Sequence, residues 1–417
     1  MSRKLTIIGA AIVVLAAGGY FAMNKSSDTT TTNTAQTVTS SAASTPMFTI
    51  PLTDANTPTV QSFSNTIAPT INAKAWMVMD VSSGQIIAQS NPDERVAPAS
   101  LTKLMTASLV FSAIDNHRLR LDQRVTVSEK AWKTGGSRMF IEVNKEVSIG
   151  ELLQGMIVQS GNDATIQLAE SVSGSVDVFV DQMNKQAQAF GMRNTHFADP
   201  TGLPSPETYT TVRDLSVLAQ HIIKDYPDYY HYFSQQEFTY NKIRQPNRNG
   251  LLSRNLGVDG LKTGHTDDAG YCLISTAKRD DRRLVVIMMG TKTIREREQF
   301  SQQLLDWGYQ NFEARTFAPA GQAVISPRVY EGELKNVNLG TANGVVVTVP
   351  RDQAQNVQML TQLNRKMVAP IAKGEALGTV QFVLDGKIVK QDTLVALEDI
   401  PQAGFFGRLW DKVVQLF

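Results

Sequence analysis

The sequence predicts an α+β protein: an antiparallel sheet flanked by helices, with a helical subdomain, followed by a small all-β domain and a C-terminal amphipathic helix. Helical periodicity lies on both sides of three apolar runs separated by turn residues, a pattern typical of adjacent antiparallel strands. After residue 313, short β-rich runs alternate with Gly, Pro and Asn, which indicates a separate domain. The three apolar runs are Val258–Thr263, Tyr271–Thr276 and Leu284–Met289.

The individual elements of the first domain follow from local patterns. Ala75–Val81 and Gln85–Gln89 flank a Ser-Ser-Gly turn, which predicts a β-hairpin. The helix that follows Pro98 is apolar around most of its circumference, so we expect it at the centre of the domain. Ser148 and Glu151 have the spacing of a capping box at the start of a further helix.

The composition excludes several classes of function. The 40 Lys and Arg nearly balance the 39 Asp and Glu, so neither a nucleic-acid partner nor an acidic tail is indicated. The one cysteine, Cys272, excludes an internal disulfide and a cysteine-rich metal site. We expect its side chain to be a small buried apolar group. No metal and no cofactor are predicted.

Residues 1–23 are typical of a signal peptide or a signal anchor. Arg3 and Lys4 precede the uncharged run Leu5–Met23, whose length lies between that of a signal h-region and that of a membrane span. Both interpretations stay open, and both carry the rest of the chain across the membrane. Residues 24–64 are rich in Ser and Thr and poor in large apolar residues, which predicts a disordered linker.

The remaining boundaries place the first domain at 65–313, the β-rich domain at 314–398 and an amphipathic helix at 399–417. Within the helix, Phe405–Phe417 carries aromatic and aliphatic residues on one side and charged residues on the other. This segment is too short to span a bilayer. We expect it to lie in the membrane interface, the alternative being a helix docked on the β-domain.

The first of three short motifs that bear chemistry is Ser100-Leu-Thr-Lys103. The i, i+3 spacing brings both side chains to one face at a helix start. A serine hydroxyl needs a base, and a lysine can serve only where burial and a second cation lower its pKa. The motif alone also occurs by chance in surface turns, but the apolar helix that contains it argues against that interpretation.

The second and third motifs supply the missing groups. Ser160-Gly-Asn162 lies in a predicted turn between helices, where Ser160 is a candidate proton relay and Asn162 a candidate to orient Lys103. Lys262-Thr-Gly264 ends a predicted strand; Lys262 is the second cation, and Gly264 permits close approach of substrate backbone. Two similar triplets are poorer candidates because of their place along the chain: Lys133-Thr-Gly135 and Ser253-Arg-Asn255.

These motifs and their surroundings resemble the low-molecular-mass class C penicillin-binding proteins, the D-alanyl-D-alanine carboxypeptidases. The resemblance covers about residue 67 to the C-terminus, including the β-domain and the terminal helix. It implies a β-lactamase/transpeptidase-like catalytic domain in the first domain. The stretches that carry the resemblance are Pro98–Lys103, Gln159–Ala164, Arg248–Leu251 and Asp259–Thr266.

The resemblance implies a serine-type D-Ala-D-Ala carboxypeptidase that removes the terminal D-alanine from peptidoglycan pentapeptides, in cell-wall remodelling and cell-shape maintenance. Ser100 would form the acyl-enzyme, Lys103 would accept its proton and Ser160 would assist. β-Lactam antibiotics would acylate Ser100 as covalent inhibitors because their strained amide mimics the D-Ala-D-Ala bond. The expected location is the periplasmic face of the bacterial inner membrane, with the C-terminal helix on the membrane surface.

Substrate binding is likewise assigned by resemblance. Backbone N–H groups of Ser100 and His265 would form an oxyanion hole. Arg297 would bind the terminal carboxylate, with Arg248 as a weaker candidate, although by its neighbours alone Arg297 would be a solvated charge. The substrate-binding candidates are Asn162, Lys262, Thr263, Gly264, His265 and Arg297.

Three alternatives stay open at this point. A class A β-lactamase shares the motifs but needs a glutamate to activate the deacylating water, and Arg193–Leu203 offers only Asp199. An endopeptidase that cuts peptide cross-links is compatible with the same site. A catalytically idle binding protein would require displaced motif residues. The oligomeric state and the preferred muropeptide are not predicted.

Overall fold

The computed structural model describes residues 59–60, 66–406, 408 and 411. The predicted signal segment 1–23, most of the linker 24–64 and most of Phe405–Phe417 therefore lie outside the described residues. Within the linker, Thr59–Val60 forms a strand, so ordered structure begins earlier than expected. This strand pairs through backbone groups, which every sequence offers, and the composition of the linker gave no sign of it.

The elements before residue 312 alternate between helices and strands. The helices are α1 (Lys103–Asp115), α2 (Glu129–Lys133), α3 (Ile149–Ile157), α4 (Asn162–Ser173), α5 (Val176–Ala189), α6 (Val212–Asp225), α7 (His231–Ser234) and α8 (Ile294–Asn311). The strands are β1 (Thr59–Val60), β2 (Ala75–Asp80), β3 (Gln85–Ser90), β4 (Arg124–Thr126), β5 (Glu146–Ser148), β6 (Glu237–Tyr240), β7 (Ile243–Pro246), β8 (Val258–Thr266), β9 (Gly270–Arg279) and β10 (Arg282–Thr291).

A six-stranded sheet in the order β1-β3-β2-β10-β9-β8 forms the centre of this part of the chain. The β2–β3 hairpin and the three adjacent late strands are antiparallel, as predicted, whereas β1 joins β3 in parallel. β8 continues to Thr266, so the prediction that the strand ends at Lys262-Thr-Gly264 was wrong. The reason is the long β8–β9 pairing, which extends to Thr266 and Gly270.

Helices cover both faces of the sheet. Leu304 and Leu305 of α8 pack against Val78 and Val286 on one face. On the other face, Ile287 and its neighbours pack against α1 and α6. Because both faces are covered, the central strands read as continuous apolar runs rather than alternating ones. None of the described helices combines the length and the hydrophobicity that crossing a bilayer requires.

The predicted central helix and capping box are both present. α1 is buried on nearly all sides, which explains its unbroken apolar sequence. The side chain of Ser148 accepts a hydrogen bond from the backbone of Glu151, whose own side chain accepts one from the backbone of Ser148. This capping box starts α3, and α3 ends just before the turn that holds Ser160.

The C-terminal part is all β and has its own hydrophobic core. A four-stranded sheet in the order β13-β18-β17-β15 is accompanied by the pairs β11–β14 and β12–β16. The strands are β11 (Phe312–Ala318), β12 (Val329–Tyr330), β13 (Leu339–Gly340), β14 (Val345–Pro350), β15 (Gln358–Leu363), β16 (Met367–Val368), β17 (Ala376–Leu384) and β18 (Lys387–Ala396).

A buried polar contact joins the two parts. The amide of Gln85, at the start of β3, donates to the Thr348 carbonyl at 3.0 Å and accepts from the Thr348 N–H at 2.7 Å. The hydroxyls of Ser83 and Thr348 lie 2.7 Å apart, and Lys390 donates to the Ser83 carbonyl at 2.9 Å. Since breaking a buried hydrogen bond leaves polar groups without partners, this contact holds β14 firmly against the hairpin turn.

Candidate active site

Ser100 lies on a 3₁₀ turn, Ala99–Thr102, that leads into α1. α1 begins at Lys103, one residue after the turn ends. The i, i+3 spacing puts both side chains on one side, and the Lys103 ammonium donates to Ser100 Oγ at 2.9 Å. Ala99 has φ +49°, a left-handed conformation that is costly for a residue with a Cβ and that points to a constrained turn at the nucleophile.

Lys103 is only 1 % exposed, in a site where few groups solvate its charge. Burial lowers the pKa of Lys103 to about 7; Asp199 and Asp163 act in the opposite direction, and Arg248 adds to the lowering. A lysine with such a pKa is a neutral amine in a large fraction of molecules near pH 7. It can therefore accept a proton from Ser100.

Lys262 of β8 is the second lysine of the site and is 3 % exposed. Burial, followed by the charges of Lys103, Arg248 and Arg297, lowers its pKa well below the usual value. Its ammonium donates to the Thr263 carbonyl at 3.2 Å. The charge of Lys103 therefore acts on Lys262, whereas the cation that adds to the lowering of the pKa of Lys103 is Arg248.

The Ser160 motif forms the helical wall of the site. Ser160 has φ +65° and is buried, and its hydroxyl has no hydrogen-bond partner among the described residues. The Asn162 amide donates to the Gly135 carbonyl at 2.8 Å. The Asn162 backbone N–H donates to the Ser137 carbonyl at 2.7 Å. Asn162 thus holds the neighbouring loop through its side chain and its backbone, and its predicted role toward Lys103 and the substrate stays a prediction.

The strand wall consists of β8 and the start of α8. Pairing with β9 places Gly264 opposite Cys272, which is fully buried as expected, and His265 opposite Tyr271. A Cβ on Gly264 would lie 3.1 Å from the Pro98 carbonyl oxygen and 3.3 Å from the Ala99 Cβ. The glycine therefore permits the turn that bears Ser100 to pack closely on the strand, a reason that the sequence did not disclose.

Arg297 is 4 % exposed, so the alternative of a solvated surface charge was wrong. One guanidinium nitrogen donates to the Arg248 carbonyl at 3.0 Å, and its Nε has no partner among the described residues. Burial lowers the pKa of Arg297. A buried cation with an unused donor is suited to bind an anion, and a carboxylate matches its geometry.

These residues surround a cleft of about 510 Å³. Among the described residues, no group of three or more His, Cys, Asp or Glu is arranged to hold a metal ion. Ser137, Tyr271 and Ile294 also line the cleft, and the sequence gave no motif for them. Its complete lining is Ser100, Ser137, Ser160, Arg248, Thr263, Gly264, His265, Tyr271, Ile294 and Arg297.

The loop before Ser160 was also missed. The Asp163 carboxylate accepts hydrogen bonds from the backbone N–H groups of Met139, Phe140 and Ile141. These bonds fix the chain that follows Ser137. Asp163 directly follows Asn162. An acidic residue at the start of a predicted helix was the only signal in the sequence that pointed to such a role.

A buried serine–lysine pair, a second serine and an adjacent cationic cleft define a serine acyl-transfer enzyme of the penicillin-interacting type. Residues 61–293 match the family model described as D-alanyl-D-alanine carboxypeptidase, and residues 312–402 match the penicillin-binding protein 5 C-terminal domain. The chain belongs to the D-alanyl-D-alanine carboxypeptidase family, as the motifs predicted.

Known proteins agree with this assignment over both parts of the chain. D-alanyl-D-alanine carboxypeptidase DacC of Escherichia coli (strain K12) is 42% identical over 369 residues, which cover 86% of this chain and 92% of the relative. Penicillin binding protein 5 from Haemophilus influenzae is similar in structure, with a TM-score of 0.78 and 41% identity over 81% of this chain and 100% of that one.

A further structure shows the fold with an antibiotic bound. Penicillin-Binding Protein D2 from Listeria monocytogenes, in its ampicillin-bound form, has a TM-score of 0.54 and 31% identity over 58% of this chain and 100% of that one. The predicted catalytic domain, β-rich domain and enzyme class, a serine-type carboxypeptidase that acts on peptidoglycan and binds penicillin, are thus confirmed, whereas most of the predicted C-terminal helix lies outside the described residues. The class A β-lactamase alternative is set aside.

Proposed function

We propose that the chain removes the last D-alanine from peptidoglycan pentapeptides by an acyl-enzyme on Ser100, with Lys103 as the base. The observation that supports this most directly is the contact between the buried Lys103 amine and Ser100 Oγ at the cleft, at 2.9 Å. With a pKa of about 7, the amine takes the Ser100 proton while Oγ attacks the carbonyl carbon of the penultimate D-alanine.

The leaving amine then needs a proton. Lys103, now an ammonium, passes its proton through the Ser160 hydroxyl to the nitrogen of the departing D-alanine. The unused hydrogen-bonding capacity of Ser160 supports this relay. The amide bond breaks, free D-alanine leaves, and the peptide stays as an ester on Ser100.

Water completes the cycle. Lys103, neutral again, takes a proton from a water molecule as the water oxygen attacks the ester carbonyl. The proton returns to Ser100 Oγ when the ester bond breaks, and the shortened peptide leaves as a carboxylic acid. The backbone N–H groups of Ser100 and His265 stabilise the oxyanion in both steps. Lys103 serves as the base in both the acylation and the deacylation step, so neither step requires a metal ion.

The strand wall recognises the substrate. Arg297, with Lys262 and Thr263, binds the terminal carboxylate, and Arg248 contributes a further positive charge. The burial of Arg297 and its unused Nε support this assignment. Gly264 keeps the strand close to the nucleophile, and Asn162 keeps the opposite loop in place. A free carboxylate is what distinguishes a carboxypeptidase substrate from an internal peptide bond.

The location is also part of the proposal. Residues 1–23 export the chain to the periplasm, residues 24–64 link it, and residues 405–417 of the predicted segment 399–417 rest on the inner membrane, since Ile400 is buried in the core of the β-domain. The exposure of Phe405 and Phe406 supports a membrane-facing role for the last segment. The catalytic domain, 65–313, is then held away from the membrane by the β-domain, 314–398.

The test of the catalytic proposal is release of D-alanine from a pentapeptide that ends in D-Ala-D-Ala, measured on the full chain in detergent beside Ser100→Ala. We expect release by the first and none by the second. Acylation by labelled penicillin without release of D-alanine would contradict the carboxypeptidase assignment. A signal-cleaved chain without residues 405–417 that still fractionates with membranes would contradict the proposed anchor.

A further inference from the structure

The loop Asp199–Gly202 contacts the base although none of the three motifs includes it. The Lys103 ammonium donates to the Thr201 carbonyl at 2.6 Å, a shorter contact than the 2.9 Å to Ser100 Oγ. A backbone carbonyl at this place holds the amine in one orientation. It also stabilises the charged form of Lys103, because the ammonium is the better donor. The position of the Thr201 carbonyl therefore affects both the orientation of the Lys103 amine and its basicity.

Asp199 organises this loop from within. Its Oδ1 accepts hydrogen bonds from the backbone N–H and the hydroxyl of Thr201, and from the backbone N–H of Gly202 at 2.8 Å. A carboxylate that binds the backbone two and three residues further on makes a tight local turn. The turn directs the Thr201 carbonyl toward α1, where Lys103 begins the helix.

The same loop is fixed from outside by its packing on the nucleophile turn. Thr106 of α1 donates to the Pro200 carbonyl at 2.7 Å. Gly202 has φ +77°, and a Cβ there would lie 1.8 Å from the Ala99 carbonyl oxygen, so a larger residue has no room. The loop thus has one conformation against the residues around Ser100, and the Asp199 carboxylate is the charged group inside it.

The charges around Lys103 come from four elements. Lys262 of β8 and Arg248 of the preceding loop are basic, while Asp163 of α4 and Asp199 are acidic; of the two basic groups, Arg248 is the one that lowers the pKa of Lys103. Among these charges, Asp199 has the largest influence on the pKa of Lys103, and it opposes the lowering by burial. Its removal would therefore favour the neutral amine, and the effect would have a predictable sign.

We propose that Asp199 is a positioning residue for the base, which fixes the Thr201 carbonyl at Lys103 and sets the pH at which acylation of Ser100 begins. The inference rests on the proposed role of Lys103 as the base. It assigns Asp199 no contact with substrate and no part in activating water; the carboxylate acts through the hydrogen bonds that its Oδ1 accepts from the loop itself.

The experiment is the rate of acylation by labelled penicillin from pH 5 to 9, with the full chain in detergent. Asp199→Asn keeps an acceptor oxygen and removes the charge. We expect its acid midpoint to move to lower pH by about half a unit or more, with a plateau within a few fold of the original. Asp199→Ala also removes the turn, and its plateau should fall by about tenfold or more.

Asp214→Asn is the matched control. Asp214 also accepts from a backbone N–H, that of Asn194 at 2.8 Å, and from a hydroxyl, that of Thr195 at 2.7 Å. Asp214 is not among the charges that act on the pKa of Lys103, so the acid midpoint of Asp214→Asn should match that of the unaltered chain. If Asp199→Asn does not fold, as judged by its thermal transition, Asp199→Ser offers a second neutral acceptor at the same place.

The outcomes separate this inference from the proposed function. An unchanged midpoint in the folded neutral variant would overturn the role of Asp199 and leave Lys103 as the base. A midpoint that moves equally in Asp214→Asn would overturn it too, because any local disturbance would then suffice. If Lys103→Ala is acylated as fast as the unaltered chain, the proposed function fails first.

Discussion

The two walls of the cleft differ in the charges that they bring to its lysines. Behind the helical wall, Asp163 and Asp199 oppose the loss of charge on Lys103. On the strand wall, every charge that acts on Lys262 is positive, and these charges add to burial in lowering its pKa. The difference teaches that the walls have separate tasks: the helical wall lets a lysine gain and lose a proton, and the strand wall favours an anion.

The largest effect should come from the helical wall. Lys103→Ala removes the base, and we expect the rate of Ser100 acylation to fall by about 10²–10⁴-fold. Labelled penicillin measures this rate without any need for turnover. Lys262→Ala is the paired variant, and its loss should appear mainly as weaker binding. Equal loss of the limiting acylation rate in both variants would remove the distinction between the walls.

The loop held by Asp163 should be the next most sensitive feature. Asp163→Ala leaves the N–H groups of Met139, Phe140 and Ile141 without their acceptor, so the free energy of unfolding should fall by about 2–4 kcal/mol. Chemical denaturation of the full chain in detergent measures this change. Glu207→Ala, at an exposed position in a loop, is the control and should change the stability little. An unaltered stability of the Asp163 variant would mean that the loop keeps its place by other contacts.

Arg297→Gln tests the strand wall. The variant loses the buried positive charge but keeps a donor, and kcat/KM for a peptide with a free terminal carboxylate should fall about tenfold or more. The same peptide with an amidated C-terminus serves as the control and should be processed equally by both forms. A similar loss on both peptides would show that Arg297 supports the structure rather than carboxylate recognition.

The smallest expected effect is an exchange of protons on binding. Since the pKa of Lys262 is lowered in the free site, a bound carboxylate should raise it, and the complex should take up a fraction of a proton above that pKa. Affinity should then decrease as the pH rises. Calorimetry with Ser100→Ala and a D-Ala-D-Ala peptide, in buffers that differ in ionisation enthalpy, measures the uptake. Proton release would contradict the assigned sign.

Much of the site could be predicted because the residues within each of the three motifs are close in sequence. Ser100 and Lys103 are one turn apart, and the order of the three motifs left few other ways to assemble them. The capping box at Ser148 and the buried β10 were visible for the same reason: local spacing and continuous hydrophobicity decide them. The predicted boundaries of the five segments and the roles of the site residues stay predictions.

The rest depended on contacts between distant parts of the chain. Ser137 enters the cleft on a loop that is held by Asn162 and Asp163, and the Thr201 carbonyl reaches Lys103 from 98 residues away. The contact of Asn162 with the Gly135 carbonyl has the same origin, since nothing near Asn162 in the sequence identifies that carbonyl as its partner. Backbone groups carry no residue-type signal, so a sequence pattern cannot reveal which carbonyl they meet.

The buried polar contact between Gln85 and Thr348 has a mechanical consequence. A joint made of paired backbone and amide groups resists both sliding and bending, because either motion breaks several hydrogen bonds at once. The C-terminal sheet is therefore held rigidly against the β2–β3 hairpin and is not joined to it by a flexible connection. A force on that sheet would therefore be transmitted to the β2–β3 hairpin instead of being absorbed by bending between the two parts of the chain.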